Sequence, residues 1–127
     1  MIKQTVFLES PPEKVYDCLM NEKKHSEFIG ANAKIEQKVN GSFSVWDGYA
    51  TGITLELVLN KKIVQSWRAS DWPENVFSIS TFEFLEKDNG TSLTFTQVGV
   101  PEEFEKDIEK GWEDFYWKPL KKYLVTH

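Results

Sequence analysis

Ile63-Val64-Gln65-Ser66-Trp67-Arg68, then Trp72-Pro73-Glu74, and later Gly99-Val100-Pro101, are the segments on which the fold turns. Two tryptophans, an arginine, a proline and two acids fall within the eight residues 67–74. Ile63, Gln65 and Trp67 share one face of an extended chain, and Val64, Ser66 and Arg68 share the other. The period is two, and the aromatic weight is on one side. This is a strand of an antiparallel sheet, with a proline-stiffened turn after it.

Working outward, the same period continues on both sides. Strands are predicted at about 33–38, 42–47, 51–59, 61–69, 77–86 and 91–99, separated by turn pairs at Asn40-Gly41, Asp47-Gly48, Asn60-Lys61 and Asp88-Asn89-Gly90. Ile53, Leu55, Leu57 and Leu59 alternate with Thr54, Glu56 and Val58, which predicts that the leucine side is buried. Ahead of the sheet, residues 2–9 read as a further strand. It stops at Ser10-Pro11-Pro12-Glu13, where Ser10 as N-cap and Glu13 three residues on form a capping box. A helix over about 12–21 carries Val15, Tyr16, Cys18 and Leu19 on one face, and a second over 23–29 ends at Gly30.

Residues 101–124 form the long helix. It opens on Pro101-Glu102-Glu103 and closes near Lys118, Lys121 and Lys122, complementing the helix dipole at both ends. Phe104, Ile108, Gly111, Trp112 and Phe115 make one stripe. Gly111 costs about 1 kcal/mol against alanine, which a close approach to the sheet or a ligand would justify. Pro119 is predicted to kink the helix at Phe115. The order gives an α+β helix-grip fold: a curved antiparallel sheet of about seven strands wrapped around a C-terminal helix, with two short helices after the first strand. Residues 1–127 read as one domain.

Composition narrows the function. The net charge is −5, which disfavours nucleic acid and anionic membrane surfaces as partners. Aromatics reach 14%, enough to thicken a core or line a cavity. A single cysteine, no signal-peptide run and no membrane span make a cytosolic protein the expectation. With two histidines and one cysteine, no metal-ligand spacing and no cofactor motif is present.

Two readings stand for each candidate site. Trp67 lines a pocket or belongs to the core. Arg68 recognises a carboxylate on a partner or lies across the outer face, paired with an acid. Trp72 and Glu74 form a surface turn that contacts a partner, or Trp72 plugs the end of the sheet. On the helix, Ile108, Trp112 and Phe115 face the sheet as core or as cavity wall. The sheet residues opposite them would be Gln65, Ser78, Ser80, Phe82, Phe95 and Gln97, small or polar enough in part to leave room for a ligand. Chemistry is weak. Cys18 and His25 would pair as nucleophile and base only if the two short helices folded back. Cys18 sits on an apolar face and His25 among charges, so an inert thiol and a solvated imidazole are expected.

The central stretch resembles the C-terminal domain of the activator of the ninety-kilodalton heat-shock chaperone ATPase, within the START-like superfamily of lipid-transfer domains, birch-pollen allergen and polyketide cyclases. The matching residues are Gly41, Phe43, Asp47, Gly48, Gly52, Ile63, Val64, Trp67, Arg68, Trp72, Pro73, Glu74, Gly99, Val100, Pro101, Gly111, Trp112, Phe115 and Tyr116. Residues 1–38 match mainly in element order. The resemblance implies a non-enzymatic cytosolic co-chaperone-like interaction domain, with a heat-shock ATPase chaperone as partner and a role in stress response. It equally implies a START-like carrier or sensor, holding a small hydrophobic molecule between sheet and helix. A cyclase-like enzyme is a distant third, since no predicted cavity residue is a good acid or base near neutral pH. In the eukaryotic activator a separate N-terminal domain makes the main chaperone contact, and the resemblance does not extend to it.

Overall fold

The computed structural model describes residues 1–127. Seven strands form one antiparallel sheet in the order β1-β7-β6-β5-β4-β3-β2. They are β1 (Ile2–Leu8), β2 (Lys34–Ile35), β3 (Ser42–Val45), β4 (Ala50–Val58), β5 (Lys62–Ala69), β6 (Ser78–Lys87) and β7 (Gly90–Val98). Helices α1 (Pro12–Met20) and α2 (Glu22–Ile29) follow β1, and the C-terminal helix lies across the sheet. This is the helix-grip arrangement expected.

The turns obey the expected chemistry. Seven non-glycine residues have positive φ, and six of them are Asn or Asp: Asn40, Asp47, Asn60, Asn75, Asp88 and Asn89. Their short polar side chains tolerate the left-handed region. The seventh is Trp46, at φ 56. Gly30 ends α2 in the left-handed conformation at φ 71.

Three local expectations are corrected. The capping box at Ser10 does not form: Pro11 is the N-cap of α1 and makes no side-chain cap, while Ser10 is buried. The cap falls one helix later, where the Asn21 side chain accepts from Lys24 N at 3.0 Å. On β4 the burial departs from that expected: Thr54 is buried and Ile53 and Leu55 are exposed, while Leu57, past the register shift, packs against the core. Register explains it, since Ile53 pairs with Ser66 on the outer face and the ladder shifts between Thr54 and Glu56. The strand expected at 33–38 is only Lys34–Ile35, because the Glu36 carboxylate accepts from the Ser42 amide and hydroxyl.

The long helix is not one regular α-helix. It runs as a 3-10 turn (Glu102–Phe104), α3 (Glu105–Trp112), a π-helical turn (Glu113–Trp117) and α4 (Lys118–Thr126). Pro119 has no N–H for the carbonyl of Phe115, and the ladder widens just before it, with Lys118 N donating to Glu113 O. The widened turn lets Trp112, Tyr116 and Trp117 all be buried. Trp112 packs on Phe95 at 4.3 Å and on Tyr116 at 4.5 Å between ring centroids.

Directed hydrogen bonds set the helix on the sheet. Trp112 Nε1 donates to Gln97 Oε1 at 2.8 Å, Gln97 Nε2 to Ser78 Oγ at 2.9 Å, and Ser78 Oγ to the Trp67 carbonyl at 2.8 Å. At the other edge Trp117 Nε1 donates to Gln4 Oε1 at 2.7 Å, while Gln4 Nε2 donates to the Glu109 carbonyl at 2.8 Å. Each buried polar group in these chains is satisfied, so position is specified without a desolvation penalty.

Candidate functional site

Between the β3–β4 hairpin, the end of β5 and the C-terminal helix lies a cavity of about 440 Å³. Trp46 and Tyr49 come from the hairpin and Trp67 from β5. Asp107, Ile108, Gly111 and Trp112 come from α3, and Phe115 and Tyr116 from the π-helical turn. Six of these nine residues are aromatic and one is charged. A volume of this size accommodates a small organic molecule.

Each wall has a local cause. Trp46 would continue the alternation of β3 and point away from Val45; its left-handed backbone turns it inward instead, onto Phe115 at 5.7 Å and Tyr116 at 6.3 Å. A bulky residue in that region stores of order 1 kcal/mol of strain, an outlier of the kind that gathers at binding sites. Asp47 pins the hairpin, its carboxylate accepting from Asn32 N at 3.0 Å. Gly52 permits a close approach behind the hairpin: a Cβ there would come within 1.8 Å of the Ser66 carbonyl and 2.7 Å of the Phe43 ring. Gly111 plays a different part from the close approach expected of it. A Cβ there would meet only Phe115, at 3.8 Å, so the missing side chain enlarges the cavity.

Of the ten expected lining residues, Trp67, Ile108, Trp112 and Phe115 face the cavity. Phe115 is more than half exposed and stands at its mouth, not inside. Gln65 and Phe82 border a second, much smaller void of about 20 Å³, which shares Trp67, Trp112 and Tyr116 with the first. Ser78, Ser80, Phe95 and Gln97 lie in the packed core, off the cavity, because the Trp112 ring covers them from the helix side. Thr54, Gln65, Ser80 and Gln97 form one row across the sheet. In that row Thr54 Oγ1 and Ser80 Oγ are buried without a hydrogen-bond partner. Trp46, Tyr49 and Asp107 went unpredicted. Alternation along 42–47 puts Trp46 on the face opposite Phe43 and Val45, and Asp107 lies in an acidic stretch with Glu102, Glu103 and Glu105.

The turn after β5 corrects the reading of an exposed Trp72. That residue is buried, packing on Trp67 at 5.4 Å and Phe104 at 6.4 Å. Arg68, on the opposite face of β5, pairs with no acid. Its guanidinium donates to the carbonyls of Trp72 at 3.0 Å and Pro73 at 3.2 Å, and lies over the Phe77 ring. Trp67 and Arg68 thus hold the turn from both faces. Glu74 is exposed.

The Cys18–His25 pair is not a dyad. His25 is buried, against the solvated position expected, because α2 folds its inner face onto the π-helical turn. Its Nδ1 sits 3.0 Å from the Leu19 carbonyl and its Nε2 3.4 Å from the Tyr116 hydroxyl, so neither nitrogen addresses the thiol. Burial holds the imidazole down to about 4 and pushes the Cys18 thiol up to about 11. Both stay neutral near pH 7.

The sequence profile described as "Activator of Hsp90 ATPase homolog 1-like protein" matches residues 9–125. The human activator of 90 kDa heat shock protein ATPase homolog 1 is 33% identical over 120 residues, covering 94% of this chain and 35% of that protein. The chain thus spans about a third of the length of the curated relatives it matches. Among solved structures, an HSP90 activator from Plasmodium falciparum superimposes with a TM-score of 0.91 at 26% identity, over 98% of this chain and 95% of that one. The Aha1 dimer from Colwellia psychrerythraea, at 20% identity and TM-score 0.82, covers 97% and 94% and shares the fold. No helix is long and apolar enough to cross a membrane.

Proposed function

The chain belongs to the family of activator-of-Hsp90-ATPase-homolog-1-like proteins, and from that premise we propose that it is a co-chaperone-like interaction domain, cytosolic and without chemistry of its own, that acts on a ninety-kilodalton heat-shock ATPase. The likeness to the Plasmodium activator carries this reading, because it runs through nearly the whole of both chains. With Trp72 buried, the contact moves from the turn to the outer face of the sheet. Ile53, Ile79 and Val98 are exposed there in one row through Ser66, next to exposed Phe77. Contiguous apolar surface on an otherwise acidic protein marks a partner site. Glu74 and the Arg68-held turn border it.

The test is ATP turnover by the chaperone with the purified chain titrated in. Turnover rises, and Ile79→Lys lowers the rise without lowering the melting temperature. No change in turnover together with no detectable binding removes the reading.

A second reading has its own observation. The aromatic cavity suits a carrier or sensor that holds a small hydrophobic molecule between sheet and helix. Displacement of a hydrophobic dye by small aromatics tests it, and indifference to all of them counts against it.

A further inference from the structure

The cavity between the hairpin and the C-terminal helix has a feature that an apolar carrier does not need. Its one charged wall residue is Asp107, and Tyr49 of the hairpin lines it as well. Burial, then the negative fields of Asp71 and Asp107, push the Tyr49 phenol above its usual range. No cation pairs with either of them, although Lys106 and Lys110 flank Asp107 in α3. Trp46, Trp67 and Trp112 line the cavity from the hairpin, β5 and α3, and Phe115 stands at its mouth. Ring faces carry negative potential, and aromatic cages of this composition attract ammonium groups, most strongly where water is excluded.

We propose that this cavity binds an organic cation, an ammonium or similar positive group on an apolar, ring-sized body, with the body among Trp67, Ile108 and Trp112 and the charge towards Trp46, Tyr49 and Asp107. This deepens the carrier reading of the same cavity and rests on it. The strained backbone of Trp46 fits the assignment, since it is what turns that ring into the cage. Gly111 fits it as well, because a side chain there would occupy the space of the ligand body.

The experiment compares isosteres. Benzyltrimethylammonium and neopentylbenzene have the same shape and differ only in charge, and 4-tert-butylbenzoate supplies the anion. Binding to the full chain is followed by NMR shifts of the Trp46 and Trp67 indole N–H groups. A merely apolar cavity prefers the neutral isostere, because desolvating the cation costs free energy. The cage prefers the cation, by about 10-fold or more. Asp107→Asn, at an exposed position with no hydrogen bond to lose, removes most of that preference and leaves neopentylbenzene binding unchanged. Gly111→Leu blocks both ligands.

Equal or tighter binding of neopentylbenzene overturns the cation assignment and leaves the carrier reading standing. Tightest binding of the anion does the same. Absence of binding by all three removes both. Cation binding that survives Gly111→Leu places the ligand elsewhere and also overturns the proposal.

Discussion

Trp72 loses nearly all its surface against Trp67 and Phe104, yet its indole N–H has no hydrogen-bond partner. The ring therefore contributes through packing alone, and a substitution series separates the two properties. Trp72→Ala removes the whole ring and is expected to cost about 3–5 kcal/mol, a fall in Tm of about 10 °C or more. Trp72→Phe keeps most of the contact, relieves the unpaired N–H, and is expected to cost less than about 1.5 kcal/mol. Thermal melts of the two variants check this; a Trp72→Ala variant that melts with the wild type would mean that the turn is open in solution. The sequence motif itself is accounted for at this scale. Trp67 packs beneath the turn, Arg68 holds two of its carbonyls, and Pro73 stiffens it, so the most recognisable residues of the chain are those that close the end of the sheet.

At the scale of elements, the order of strands and helices along the chain was legible because period and turn chemistry are local. Asn40, Asp47, Asn60 and Asp88-Asn89 each sit at positive φ where the turns were predicted. Half of the cavity was legible too: the helix stripe through Ile108, Trp112 and Phe115 carries one wall. Of the facing wall only Trp67 was, because the rest depends on one residue breaking its strand's alternation, and a tryptophan in the left-handed region has no sequence signal. The outer face of β4 was misread for a related reason, since a row of apolar residues alternates alike whether it faces core or partner. The breadth of the C-terminal helix was also hidden, because Pro119 predicts a fault in the ladder without saying that a π-helical turn will absorb it. Gly111 gives the prediction of this scale. Alanine has room there, so Gly111→Ala is expected to stabilise the protein by about 1 kcal/mol through helix propensity. The same methyl group narrows the cavity, so Tm rises while small-molecule binding weakens. Loss of stability instead would mean that the native helix is closed more tightly on the hairpin than described.

Across the whole molecule, one buried imidazole couples the short helices to the long one and makes global stability depend on pH. His25 lies on α2, reaches the Leu19 carbonyl at the end of α1 and the Tyr116 hydroxyl in the π-helical turn, and packs on Phe28 at 4.8 Å. Desolvation lowers its pKa from 6.5 to about 4, outweighing the Leu19 carbonyl, which favours the charged form. The unfolded chain takes up a proton below about 6.5, whereas the native state does not until about 4. Stability from this group is therefore complete above 6.5 and falls as pH drops through the window between the two values. From pH 6.5 to 5, where ordinary carboxylates remain ionised, the loss is on the order of 2 kcal/mol. Urea midpoints at constant m across that interval measure it directly. The His25→Gln variant has a lower midpoint throughout, since it loses the packed ring, but its midpoint is flat over the same interval. A wild-type midpoint that is equally flat would show that the imidazole titrates normally, and that α2 does not close over the π-helical turn in solution.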